Sequence, residues 1–217
     1  MKARHRTDHR RPARFAGIAA ALSLALVPAV PAAAGPFEDL APCFSVQHGL
    51  DGLVTAFVAD GWTVATDDTA RQRAAAATAE INWALRYTPG RFRSPEQATE
   101  FLATAHGSHD RRTDPFVLLV RDDRNLILEW STNGSRGQNI CLQAAPRIDY
   151  VDAAIPAGAV DPARSRFFAA VDVPLIHAAP HVRQVQATLV RLRVPDEVSV
   201  DLVGGDGVQL SVTYKWE

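Results

Sequence analysis

The sequence predicts an α+β fold: two antiparallel β-meanders, about 116–144 and 187–216, with three helices, about 50–60, 67–88 and 94–106, packed on one face. Three observations carry that expectation. Between Phe116 and Ala144, apolar runs are separated by turn residues. Near the C-terminal end, Val208, Leu210, Val212, Tyr214 and Trp216 recur at every second position, the period of a strand with one buried face. Between Leu50 and His106, apolar residues instead recur three and four apart, the period of a helix.

The chain opens with a leader. Lys2, Arg4, Arg6, Arg10, Arg11 and Arg14 form a basic stretch, Phe15 to Val27 is uncharged and mostly apolar, and Ala32-Ala33-Ala34 offers small residues to a signal peptidase. This order predicts a signal peptide over 1–34 with cleavage before Gly35. The apolar run is shorter than the ~20 residues of a membrane span. Arg10-Arg11 leaves the twin-arginine route open beside the Sec route. Pro42 before Cys43 speaks against a lipidation box. The mature protein is expected in the periplasm or secreted, with no membrane span.

The 217 residues hold 23 Lys+Arg and 24 Asp+Glu. The leader removes six bases and one acid, leaving 17 and 23, a net charge of −6. A nucleic-acid surface needs a basic footprint, so that class of partner is excluded. A protein or a small molecule remains as the expected partner.

Leu50, Leu53, Val54, Phe57 and Val58 mark the first helix, and Gly61 stands where a C-terminal cap belongs. Trp62 to Thr66 reads as a short strand. Asp67 caps the second helix, which carries the stripe Ala70, Ala74, Ala77, Ile81, Leu85. Ser94-Pro95-Glu96-Gln97 has the spacing of a capping box with proline at the first helical position, so a third helix starts there. The central meander follows, with turns at Asp122-Asp123 and Asn133-Gly134. Glu129 lies on its middle strand between apolar neighbours, and Asn133-Gly134-Ser135 is a glycosylation sequon that reads as a turn.

Residues 35–145 thus form an α/β half. An Ala/Pro/Gly-rich connection spans 146–165. A β-rich half, 166–217, follows within the same domain or as a closely packed subdomain. Its expected strands are 166–173, 188–194, 198–202 and 208–216, the last two joined by a hairpin loop at Gly204-Gly205-Asp206-Gly207.

Two cysteines, Cys43 and Cys141, occur in an exported chain, which predicts a disulfide. No cofactor loop or nucleophile elbow is present: Gly134-Ser135-Arg136-Gly137 lacks GxSxG spacing. No catalytic residue is therefore assigned. His106, His109 and Asp110 group within five residues, and His177 and His181 lie four apart with Asp172 upstream. These residue types suit zinc or copper. The composition as a whole predicts a non-enzymatic ligand- or partner-binding or structural domain. The alternative is a small metal-dependent or hydrolytic enzyme that uses the histidines.

Overall fold

The computed structural model describes residues 37–85, 94–106, 115–155, 168–174, 181–192 and 203–216. A 3-10 helix, Glu38–Phe44, leads into α1, Leu50–Ala59. The strand β1, Thr63–Val64, and the helices α2, Asp68–Leu85, and α3, Pro95–His106, come next. The strands β2, Phe116–Arg121, β3, Arg124–Asn133, and β4, Arg136–Ala145, form the first meander. After α4, Asp149–Ala154, the chain returns as β5, Phe168–Pro174, β6, Val182–Leu192, and β7, Asp206–Lys215. The predicted leader, 1–34, lies outside the described residues.

The α+β class holds, and both meanders are present. They join through β4 and β7 into one antiparallel sheet of order β1-β2-β3-β4-β7-β6-β5. Local chemistry forms the elements where the sequence placed them. Gly61 takes φ +92° after α1. The Asp67 carboxylate accepts from the Ala70 N–H at 2.8 Å, and Ser94 Oγ accepts from the Gln97 N–H at 3.4 Å. Each satisfies a donor that a helix start leaves open. Gly134, at φ +59°, turns β3 into β4.

Strand alternation gives the sheet two covered faces. On one, the disulfide face, Leu126, Leu128, Cys141, Val208, Leu210, Val212 and Tyr214 pack against the 3-10 helix, α1 and α4. On the other, the α2 face, Leu118, Ile127, Leu142, Ala144, Val190 and Leu192 pack against Ala74, Ala77 and Ile81 of α2 and Leu102 of α3. The expectation of three helices on one face is therefore corrected: α2 and α3 share a face, and α1 lies on the other. The physical reason is the alternation of β2 and β3. Both Leu118 and Leu119, and both Ile127 and Leu128, are apolar, so both faces there need cover.

A second correction concerns the C-terminal meander. Among the described residues it is built from β5, β6 and β7, and β7 pairs with β4 on one side and β6 on the other; the expected strand 198–202 lies outside the described residues. Asp206 and Gly207 already belong to β7, so Gly204–Gly207 is not a hairpin loop between strands. A β-carbon on Gly207 would meet Ile81 of α2, so glycine is required there by close packing. The strand expected at 188–194 begins earlier, at Val182. The connection 146–165, which has no period, contains α4.

Cys43 and Cys141 form the disulfide. It ties the 3-10 helix to β4 within the buried cluster of the disulfide face. No described helix is long and apolar enough to cross a membrane.

Candidate functional site

Register turns the α2 face into rows that cross the sheet. One row runs Leu118, Ile127, Leu142, Gln209, Thr188, Asp172 from β2 to β5. It is apolar on β2, β3 and β4 and polar on β7, β6 and β5. The next row runs Phe116, Glu129, Ile140, Ser211, Gln186, Pro174; it is interrupted by Glu129 on β3, is polar on β7 and β6, and ends on Pro174. The apolar part of the first row is buried in the cluster that holds α2 and α3. The polar part opens into a cleft of about 390 Å³ lined by Asp172, Gln186, Thr188, Gln209 and Ser211, with Val173, Val185 and Ala187.

Hydrogen bonds fix the polar groups of this cleft. The Thr188 hydroxyl donates to the Asp172 carboxylate at 2.7 Å across β5 and β6. Gln138 Nε2 donates to Ser211 Oγ at 2.8 Å across β4 and β7. Among the described residues, Asp172 is the sole charged one lining the cleft. The described walls thus offer hydroxyls, carboxamides and one carboxylate, and no cation among the described residues. Such walls can hydrogen-bond a polar guest from several directions. These described residues give a phosphate or a carboxylate no counter-charge.

The residues singled out from sequence are distributed differently. His109, Asp110 and His177 lie outside the described residues. His106 is the last residue of α3, and its side chain lies outside the described set as well. His181 immediately precedes β6, and its carbonyl accepts from the Lys215 N–H at 3.0 Å. Asp172 pairs with Thr188, seven residues along from His181. At the rise of a strand that separation is roughly 20 Å, so Asp172 and His181 do not share a ligand. Among the described residues, no three His, Cys, Asp or Glu side chains converge on a metal position. Glu129 is half-buried on the α2 face, in the row of Ser211 and Gln186.

Sequence reasoning missed Gln186, Thr188, Gln209 and Ser211. A signal was present. The outward positions of β6 and β7 carry Gln, Ser and Thr where an ordinary solvated strand face carries Lys and Glu.

Other buried polar groups serve the fold. Arg191 on β6 donates to both carboxylate oxygens of Asp206, each at 2.9 Å, to the Ile155 carbonyl at 2.6 Å, and to Asp152. Asp206 also accepts from the Ile148 N–H at 3.0 Å. These bonds clasp α4 onto the sheet. The Asp206 hydrogen bonds hold the Arg191 pKa above the ordinary arginine value although burial opposes them. Burial acts to raise the Asp152 pKa, yet Arg191 and Arg147 leave it below the usual carboxylate value. The buried Glu80 of α2 accepts from the N–H groups of Val203 and Gly204 at 3.0 and 2.7 Å, anchoring the approach to β7. Asp39 is held by Arg121 and Arg124, and Arg121 lies 4.6 Å over the Trp62 ring. At the far end of the disulfide face, the Tyr214 hydroxyl donates to the Gln47 carbonyl at 2.6 Å and accepts from Trp130 at 2.8 Å. His48 stacks on Trp216 there at 4.7 Å.

No family model, curated protein or solved structure matches the chain.

Proposed function

We propose that this chain is an exported, non-enzymatic binding domain that holds a polar ligand without net negative charge. The ligand lies on the polar half of the α2 face. The observation that carries this reading is the change of character along one register row, from Leu118, Ile127 and Leu142 to Gln209, Thr188 and Asp172. Apolar residues under a helix need no further account. Uncharged polar residues gathered in a cleft, two of them fixed by cross-strand hydrogen bonds, do.

Ligand sites in general combine a concave, largely preformed surface with a few oriented polar groups. The cleft supplies hydroxyl and carboxamide partners for a neutral guest, and Asp172 supplies a partner for an amine. The net charge of −6 expected for residues 35–217 disfavours anions at long range. Export is supported by the order of the leader and by the disulfide, which persists in oxidising compartments.

A thermal-shift screen of residues 35–217 tests the reading. The library contains sugars, polyols, amino acids and amines, with phosphates and dicarboxylates as the anionic arm. Hits are expected in the neutral and cationic arms, and they should be lost in Thr188→Val combined with Ser211→Val. Hits confined to anions, or hits that the double variant retains, overturn it.

A further inference from the structure

Residues 43–49 form a strap that runs from the last turn of the 3-10 helix to α1 on the disulfide face, opposite the ligand cleft. The disulfide is one of its attachments, and the others do not involve sulfur. Asn139 on β4 is fully buried and lies two residues from Cys141, so both side chains are on this face. The Asn139 carboxamide nitrogen donates to the Cys43 carbonyl at 2.9 Å and to the Ser45 carbonyl at 2.8 Å. Further along the strap, the Gln47 carbonyl accepts from the Tyr214 hydroxyl and from Trp130 at 3.3 Å. On the other side of Cys43, Leu40 is fully buried and Asp39 is paired with Arg121 and Arg124.

A buried carboxamide costs free energy unless its hydrogen bonds are made. Asn139 spends both of its N–H groups on the carbonyls that bracket the cysteine. These contacts give Cys43 a seat over Cys141 that remains when both sulfurs are thiols.

We propose that Asn139 is the positioning residue for oxidation of this cysteine pair in the folded chain, with Cys43 the thiol that meets the oxidant and Cys141 the thiol that resolves it. The two roles follow from placement. Both cysteines are fully buried, so an oxidant reaches them only when something opens. Cys141 is fixed in β4, which pairs with β3 on one side and β7 on the other. Cys43 rides on a short strap held by a few hydrogen bonds, and such segments open at lower cost than the sheet beneath them. With the strap lifted, the Cys43 thiolate attacks oxidised glutathione, forms a mixed disulfide and releases one glutathione thiol. Reseating brings the Cys141 thiolate to the Cys43 sulfur. The new S–S bond forms, the bond to glutathione breaks, and the second glutathione leaves as a thiol. The pair gives up two electrons and two protons, which the oxidant takes up as two thiols. Asn139 acts through the backbone of the strap: it raises the fraction of chains seated for the second step, and the apparent equilibrium scales with that fraction.

The test is the thiol–disulfide equilibrium of residues 35–217 in glutathione buffers, at a temperature where circular dichroism shows the reduced wild type folded. Asn139→Ala should lower the ratio of oxidised to reduced protein in a given buffer by about tenfold, the worth of one to two neutral hydrogen bonds. A residue that only stabilised the fold would lower the melting temperatures of the oxidised and reduced forms alike and leave that ratio unchanged. Tyr214→Phe keeps the ring and removes one bond to the Gln47 carbonyl. It should shift the ratio in the same direction by less, and it serves as the readout where Asn139→Ala does not fold when reduced. The two thiol roles are read separately by mass spectrometry. With oxidised glutathione, Cys141→Ser should collect the adduct on Cys43 much faster than Cys43→Ser collects it on Cys141. A reduced wild type that is unfolded, a ratio unchanged in both Asn139→Ala and Tyr214→Phe, or adducts forming at equal rates on the two cysteines overturns the proposal.

Discussion

The two sides of β7 share one backbone, one pair of neighbouring strands and one stretch of sequence, and they differ in everything else. Val208, Leu210, Val212 and Tyr214 point to the disulfide face and are fully buried. Gln209, Ser211 and Thr213 point to the α2 face, where Gln209 and Ser211 line the cleft. The first side is closed by the 3-10 helix and cross-linked to it through β4. The second is apolar only where α2 and α3 cover it. The contrast separates two tasks. The disulfide face carries stability, and the polar half of the α2 face is free to carry recognition. Substitutions on the two sides should then have effects of different kind as well as different size.

The largest effect is expected from the cross-link. Cys43 and Cys141 are 98 residues apart. For a loop of that length, chain entropy attributes about 4–5 kcal/mol to the disulfide. Cys141→Ser should lower stability by an amount approaching that, measured by urea unfolding without reductant. The wild type in reductant should fall to a similar level. If the variant unfolds at the wild-type midpoint, the disulfide face does not depend on its clasp.

Leu210→Ala and Ser211→Ala compare neighbours on opposite sides. Leu210 is fully buried, and truncating a buried leucine costs about 2–5 kcal/mol. Ser211 bonds to Gln138, which is half-buried and can turn to water. Its loss should cost about 1 kcal/mol or less. Equal losses for the two variants would remove the asymmetry between the faces.

Much of this architecture was legible from local signals. The period of β7, the Asp67 and Ser94 caps, Gly61 after α1 and the pairing of Cys43 with Cys141 all act over short range or through few partners. What was not legible depends on neighbours distant in sequence. Phe116 to Val120 is apolar throughout, which shows a strand covered on both faces but not which helix covers which. Nothing local to Val208–Tyr214 says that its partners are β4 and β6 rather than the adjacent 198–202. The cleft was hidden for the same reason. Gln186 and Ser211 look like any solvated strand positions until the register sets them side by side in a row that continues to Ile140.

Tyr150 offers a sharper test through pH. Its hydroxyl donates to Gln143 at 3.2 Å. Burial pushes its pKa up, the Asp39 charge adds to this, and Arg124 opposes it. A raised folded-state pKa means that the associated stability is complete below the unfolded tyrosine value, about 10. It is lost as pH climbs above that value, because the unfolded chain ionises first. The wild type should therefore lose stability above about pH 10. Tyr150→Phe should cost about 1 kcal/mol near neutrality and show a shallower alkaline decline. An identical decline in both proteins would remove Tyr150 as its source.

The smallest stability effect should accompany the clearest effect on binding. Gln186 is exposed on β6 and lines the cleft. An exposed side chain away from the core changes stability by roughly 0.5 kcal/mol or less, so Gln186→Ala should melt with the wild type. Its side chain is nevertheless one of the five polar ones, among the described residues, that line the cleft. Losing one hydrogen bond to a bound guest is worth about 0.5–1.5 kcal/mol, or about a twofold to tenfold weaker Kd. Titrating the strongest hit of the thermal-shift screen into both proteins by calorimetry measures that ratio directly. An unchanged Kd beside an unchanged melting temperature would place the guest elsewhere on the molecule. A weakened Kd with the fold intact would separate recognition from stability at a single side chain, as the two sides of β7 lead one to expect.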